Sequence, residues 1–438
     1  MPLRASDNSL SRWWARWRAS LPRIVLIALV LRLGLVFVAH TYRFHTGEDN
    51  FSFGWEMGRI GRSLAAGEGF SNPFNGATGP TAWQPPLYPF LIAGVFKLFG
   101  IYTHASAIVL LAISSAFSAL TCIPIFRIAD RCFGEKVAVG SAWAWALLPN
   151  VMHWCTRIVW ETSASAFLLA VIFLLTLRME ERSGWRPWAT FGTLWGIVAL
   201  TNTSLLAFLP AAGLWAWYRR ARLGKRSLGG VILASAIFFA CITPWLVRDY
   251  RVFGQFLLIR SNFGEELRLG NGPGADGTWL EYLHPTQDAA EMQRYQEMGE
   301  MAYVAVRKQE ALAFIRADYS RFFWLDVKRF IYFWAGAPRP GHTALVDTLK
   351  NSLFLASSVL ALWGLSRALR KRQPGAWLFL WLVLLVPAVY YFTFVQARYR
   401  HPIEPELTIL AVYLLLEAGQ RKDSPQVEIL RRQLKTEN

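Results

Sequence analysis

Apolar runs of about 20 residues recur from end to end of the chain, separated by short polar stretches. Twelve such segments stand out, at roughly 22–40, 86–99, 105–128, 137–150, 160–178, 187–201, 203–218, 228–247, 322–336, 345–366, 376–395 and 402–419. Runs of this length read as bilayer-spanning helices. Two of them are weak. Segment 86–99 has about 14 residues, or roughly 21 Å of helix, against a hydrocarbon core of about 30 Å. Segment 322–336 carries Asp326, Lys328 and Arg329, each costing about 2.5–3.5 kcal/mol at mid-bilayer. Both are expected to lie as amphipathic helices at the outer surface. The pattern therefore predicts an all-α polytopic membrane protein of about ten transmembrane helices. It forms one domain over residues 1–420, with a cytoplasmic tail at 421–438.

Composition agrees. Of 438 residues, 54% are apolar and only 17% charged, where a soluble domain carries about a quarter. The net charge of +17 brings nucleic acid to mind, but the basic residues cluster in short loops. Arg219, Arg220, Arg222, Lys225 and Arg226 form one cluster; Arg367, Arg370, Lys371 and Arg372 form another. That is the positive-inside pattern, not a basic groove-binding face. Twelve crossings would put the 219–226 cluster outside. With ten, every dense basic cluster falls inside, and two long segments, 41–104 and 248–344, fall outside. Arg32 interrupts the first apolar run, after "SRWWARWR", and no small-residue cleavage site follows, so an uncleaved signal anchor is expected. Cys122, Cys132, Cys155 and Cys241 lack metal or redox spacing. His104, His284 and His342 are scattered, so no metal site is expected from them.

Candidate chemistry sits at the outer boundary. "HTGEDNFSFGWEMG" (45–58) brings Glu48, Asp49 and Glu56 just past the first apolar run. The stretch from Asn50 predicts an amphipathic helix ending at Gly67, with Asp49, Phe53 and Glu56 on one stripe. Glu48 and Asp49 read either as acids favoured by a helix N-terminus or as a general base whose pKa its neighbour raises. His153, Arg157 and Glu161 stand at another outer mouth. Arg248, Asp249 and Arg251 follow the 228–247 run, and Arg398, Tyr399, Arg400, His401 and Glu404 precede the last one. Arginine on the outer side runs against the charge rule. Singly, each is explained by snorkelling to lipid phosphates; jointly they suit a phosphate site, whose oxygens match the guanidinium fork. "GNGPGADG" is a turn, since no strand precedes it and no Gly-Lys-Ser/Thr follows. There is no Gly-x-Ser-x-Gly elbow.

The acidic pair, "LAAGEGFS", "PPLYPFLIAGVFKLFG", "ITPWLVRDYRVFGQFLLIRSNFGEELRLGN" and "ARYRHPIEPELTILAVYLLL" together resemble the C superfamily of membrane glycosyltransferases over about residues 20–420. The likeness is to the branch holding protein O-mannosyltransferases and lipid A aminoarabinose transferases. It implies a polyprenyl-phosphate sugar donor and a catalytic acid early in the first outer loop, Asp49 or Glu48. Phe53 and Met57 only approximate the residues that follow that acid, which leaves Glu56 a rival. Gln84 stands where the aminoarabinose transferases have lysine before the double proline. Gln84, Tyr88, Arg157, Glu161, Arg248, Arg251, Arg398, Tyr399 and Arg400 are the expected substrate-binding residues. The implied partners are the lipid-linked donor, an acceptor that is protein, lipid or glycan, and the bilayer, with no nucleic acid. The superfamily includes metal-dependent and metal-independent members, so no cofactor is fixed and a divalent cation is compatible. The implied location is a bacterial inner membrane with the site on its periplasmic face. A transporter or flippase of lipid-linked substrates is the rival, and a non-catalytic assembly partner a third reading. A transporter favours internal repeats and mid-span charges; no repeat is visible, and Arg32 and Lys97 are the exceptional charges.

Overall fold

The computed structural model describes residues 20–46, 51–225, 227–338 and 344–422, nearly all helix and turn, with one isolated antiparallel bridge between Ser71 and Pro80. Helix α1 (Leu21–Val38) leads to a first long loop holding α2 (Glu56–Ala65) and α3 (Leu87–Phe99). Then come α4 (His104–Leu120), α5 (Cys122–Phe133), α6 (Glu135–Leu147), the short α7 (Pro149–Thr156) and α8 (Thr162–Arg178). Helices α9 (Arg186–Thr201), α10 (Leu209–Arg222) and α11 (Leu228–Phe253) follow. The long segment after α11 contributes α12 (Phe263–Asn271), α13 (Ala289–Met298), α14 (Glu300–Ala317) and α15 (Tyr319–Ala335), before α16 (Ala344–Arg370), α17 (Ala376–Tyr391) and α18 (Glu404–Lys422).

Each of the twelve apolar segments is helical. Four stretches are long and apolar enough to cross a bilayer: Leu21–Val38, His104–Phe133, Leu228–Phe253 and Asp347–Arg370. The protein is an all-α polytopic membrane protein. Local signals set the helix ends. A capping box between Thr103 and Ser106 starts α4, proline opens α1, α7, α9 and α10, and left-handed Gly254 stops α11.

One local expectation needs correction. The first-loop helix begins at Glu56, not near Asn50. Phe51–Phe53 forms one 3-10 turn, and Gly54 and Trp55 take positive φ, +87° and +39°, which breaks any stripe running through Phe53 to Glu56. The rest of that stripe, Asp49, lies with Glu48 outside the described residues. The charged stretch from Asp288 to Asp318 is two helices, because Gly299 at φ +73° interrupts it.

Helices α9 and α11 approach closely at Gly192 and Gly196, where a Cβ would collide with the Ala234 carbonyl and with Cys241. Small residues four apart allow that approach in a membrane. Arg32, the charge inside α1, is fully buried. It donates to Ser118 Oγ (3.0 Å) and to the carbonyls of Ala28 (2.9 Å), Trp145 (3.1 Å) and Ala146 (3.1 Å). The last two belong to the C-terminal turn of α6, whose carbonyls lack intrahelical partners. Arg32 is a staple joining α1, α4 and α6, which accounts for its cost inside the membrane without a transport role.

Candidate active site

Four stretches of chain meet at one end of the bundle. The 3-10 turn of the first loop is tied to the segment before α8 by Val159 N–H donating to Ser52 O at 2.8 Å. Gly54 permits the contact, since a side chain there would strike the Val159 carbonyl. This brings Glu56, first residue of α2, toward Glu161, the N-cap of α8. The long segment after α11 closes over both. Ser261 N–H donates to Ala82 O (2.9 Å) and Arg260 Nε to Trp83 O (3.1 Å). Glu300 clasps both strands of this contact. Its carboxylate accepts from Ala82 N (2.7 Å), Ser261 Oγ (2.6 Å), Tyr295 OH (2.8 Å) and Thr81 Oγ1. The fourth stretch precedes α18. There the Arg398 guanidinium lies 3.8 Å from the Trp160 ring centroid, and Tyr399 stacks on Tyr390 at 4.4 Å.

The result is a mixed-charge cluster of Glu56, Glu161, Glu266, Arg260 and Arg398, each acting electrostatically on several of the others. Burial pushes the carboxyls of Glu56, Glu161 and Glu266 above the usual range. Arg398 opposes the rise in all three, together with Arg59 at Glu56 and Arg260 at the other two. Burial works against the Arg398 charge, but Tyr399, Glu161 and Glu56 outweigh it and hold its pKa above the ordinary value. Shifted acids grouped with arginines in one place are what acid–base and anion-handling sites require.

Glu56 is buried. Thr286 Oγ1 donates to its Oε1 at 3.4 Å, and His284 Nε2 lies 3.7 Å from the same oxygen. Burial, with Arg59 and Arg398 nearby, lowers the His284 pKa to about 3, so this is not an ion pair at neutral pH. Its Nδ1 accepts from the Thr286 N–H at 3.2 Å, which puts the ring proton on Nε2, facing Glu56. Around the cluster, Trp160 Nε1, Glu161 Oε2, Thr162 Oγ1, Ser163 Oγ and Arg398 Nη1 are buried without hydrogen-bond partners among the described residues. So many unmet polar atoms in one place suit a ligand.

Of the residues picked from sequence, the structure brings Glu56, Glu161, Arg398 and Tyr399 together. Tyr88 is buried, its hydroxyl 3.4 Å from Ser114 Oγ and within electrostatic range of Glu161. Gln84 is buried next to Trp83. Arg248 is committed elsewhere, donating to the carbonyls of Thr81 (2.6 Å) and Phe70 (2.9 Å) and pairing with Asp249. Arg400 is buried against Phe354 and donates to Ser357, Ser358 and Glu404. Arg157 and Arg251 are exposed. Sequence reading missed Arg260, Glu266 and His284. The first two lie inside "LLIRSNFGEELRLGN", and Arg260 to Glu266 is a six-residue spacing that gave no separate signal. No group of three or more His, Cys, Asp or Glu among the described residues is arranged to hold a metal ion.

Residues 83–247 match the family model described as dolichyl-phosphate-mannose-protein mannosyltransferase. The oligosaccharyltransferase of Archaeoglobus fulgidus in its apo form superposes at TM-score 0.52 with 15% identity, over 95% of this chain and 52% of that one. The same organism's oligosaccharyltransferase AglB, in complex with an inhibitory peptide and a dolichol-phosphate, gives TM-score 0.53 and 15% identity over 98% and 52%. The chain shares the fold of these two oligosaccharyltransferase structures. It spans about half the length of these two glycosyltransferases. ArnT from Cupriavidus metallidurans bound to undecaprenyl phosphate is a more distant likeness, with TM-score 0.39 and 12% identity over 89% and 77%. No curated protein sequence matches the chain.

Proposed function

We propose that the protein transfers a sugar from a polyprenyl-phosphate donor to an acceptor hydroxyl at the outer face of a membrane, in the manner of the mannosyltransferase and aminoarabinose transferase branch. The observation that carries this reading is Arg398. Its guanidinium lies on Trp160 within electrostatic range of buried Glu56 and of the half-buried Glu161 and Glu266, with Nη1 unmatched among the described residues, in a fold used for such transfers. A carboxylate takes the acceptor proton, the acceptor oxygen forms a bond to the anomeric carbon, and the bond from that carbon to the phosphate oxygen breaks. The phosphate departs with the electron pair, and Arg398, supported by Arg260, stabilises the growing charge. A phosphate leaving group needs no general acid, so one base suffices, where most glycoside hydrolases need two carboxylates. The base is assigned to the acidic group of the first loop, Asp49 or Glu48, with Glu56 the rival. A donor already linked to lipid also requires no nucleotide-binding motif.

The test is transfer in membranes supplied with polyprenyl-phosphate sugars, for Glu48→Gln, Asp49→Asn, Glu56→Gln and Arg398→Lys, each checked for normal expression. One acid variant alone should lose transfer. Arg398→Lys should lower kcat by about 100-fold, roughly 3 kcal/mol of transition-state stabilisation, because an ammonium cannot supply the planar fork. Full activity in all four sinks the proposal.

A further inference from the structure

At the end of the bundle opposite the cluster, α1, α5 and α8 converge. α1 runs from Leu21 toward Phe44, whose carbonyl lies 3.2 Å from His104 Nε2 at the start of α4. α4 and α5 return as one 30-residue span, and α8 leaves Glu161 for Arg178. Between their far ends is a cavity of about 490 Å³ lined by Leu21, Phe126, Arg127, Asp130, Arg131 and Arg178. Ligand pockets are typically of this size, roughly 300–1,000 Å³.

We infer that this cavity is a binding site for the headgroup of an anionic glycerophospholipid in the leaflet opposite the candidate active site. Charge is the first argument. Of the three lining arginines, Arg131 is already paired with Glu180 (3.0 Å) and Glu181 (2.6 Å). Arg127 and Arg178 have no ion pair among the described residues, and Arg178 is repelled by Arg127, neighbouring Arg182 and Arg131, which the weaker attraction of Glu181 offsets only in part. Asp130 is the one acid in the lining. A phosphodiester between Arg127 and Arg178 relieves that repulsion through charge-assisted hydrogen bonds. Position is the second argument. The arginines sit at the ends of membrane-spanning helices, at headgroup level, while Leu21 and Phe126 give the cavity an apolar wall suited to acyl chain. Basic pockets between such helices hold anionic lipid heads. The positive-inside rule explains the sign of these residues, but not why two unpaired arginines share a cavity. The sequence before Leu21 carries Arg4, Arg12, Arg16 and Arg18 against Asp7, a net positive charge.

The experiment uses the full chain, purified and stripped of lipid in neutral detergent. Thermal unfolding is followed while phosphatidylglycerol, phosphatidylcholine or inorganic phosphate is added. Phosphatidylglycerol should raise the unfolding temperature saturably; the other two should not. The double variant Arg127→Gln/Arg178→Gln, which leaves the Arg131 pairs intact, should unfold no earlier than wild type without lipid and need at least tenfold more phosphatidylglycerol. Arg222→Gln, an exposed arginine elsewhere on the chain, should respond as wild type does. If phosphatidylcholine equals phosphatidylglycerol, the effect belongs to bulk lipid; if phosphate equals it, the site takes free anions. Either result overturns the inference, as does a double variant with unchanged response or an Arg222→Gln that loses it. Should the double variant fail to fold, Arg127→Gln alone, at an exposed position, must still weaken the response.

Discussion

At the residue scale the candidate site is governed by burial acting on charge. His284 shows it most simply. The unfolded chain takes up its proton near pH 6.5, while the folded ring resists protonation until about pH 3. Between those values the unfolded state holds more protons, so stability falls as pH falls, by at most about 1.4 kcal/mol per pH unit. The contribution is complete above pH 6.5. Glu56, raised by burial, acts in the opposite sense and disfavours the fold as pH rises above its ordinary value. Unfolding temperatures measured from pH 7.5 to 5.0 should fall more steeply in wild type than in His284→Gln. Parallel curves would show that His284 is not held neutral by the fold.

At the scale of elements, one side chain fixes how two outer segments meet. Glu300, the first residue of α14, accepts four hydrogen bonds from Thr81, Ala82, Ser261 and Tyr295, and so aligns Trp83 and Gln84 with Arg260 and Glu266. In Glu300→Gln the amide –NH2 cannot accept, which leaves buried donors facing a donor. The expected loss is about 2–3 kcal/mol, with faster proteolysis of residues 254–300 and a transfer defect seen mainly in KM, because the reacting groups themselves are untouched. An unchanged proteolysis pattern would remove Glu300 from this role. None of this was legible in the sequence. Glu300 reads as one more charge on a solvated helix, and three of its four partners lie 39, 218 and 219 positions away. Apolar run length did announce the helices themselves, because hydrophobic patterning is local. The site was legible only where a charge contradicted its surroundings, as Arg398 and Glu161 do at a membrane boundary. Arg248 and Arg400 carried the same signal and proved to hold backbone carbonyls and hydroxyls. A sequence cannot say which guanidinium is already satisfied.

At the scale of the whole molecule, the charge rule and the fold meet in one geometric claim. The first outer loop, the segment from Arg260 to Glu300 and the carboxylate cluster share one face, while the loops carrying Arg131, Arg182 and Arg219 share the other. Ion pairs of Glu180 with Arg131 (3.0 Å) and Arg219 (2.6 Å) tie those helix ends together, which is consistent with a common face. Single cysteines can test the arrangement, because Cys122, Cys132 and Cys155 are buried and Cys241 is half-buried, so background labelling should be low. Exposed Glu297 and Ser183 stand on opposite faces in this arrangement. In intact cells or right-side-out vesicles, a membrane-impermeant maleimide should label Glu297→Cys and leave Ser183→Cys unlabelled until the membrane is opened. The reverse pattern would turn the site, and the donor it is proposed to use, toward the cytoplasm. Labelling of both from one side would break the opposition of the two faces. With it would go the argument that Arg127 and Arg178 meet lipid in a different leaflet from the one that supplies the sugar.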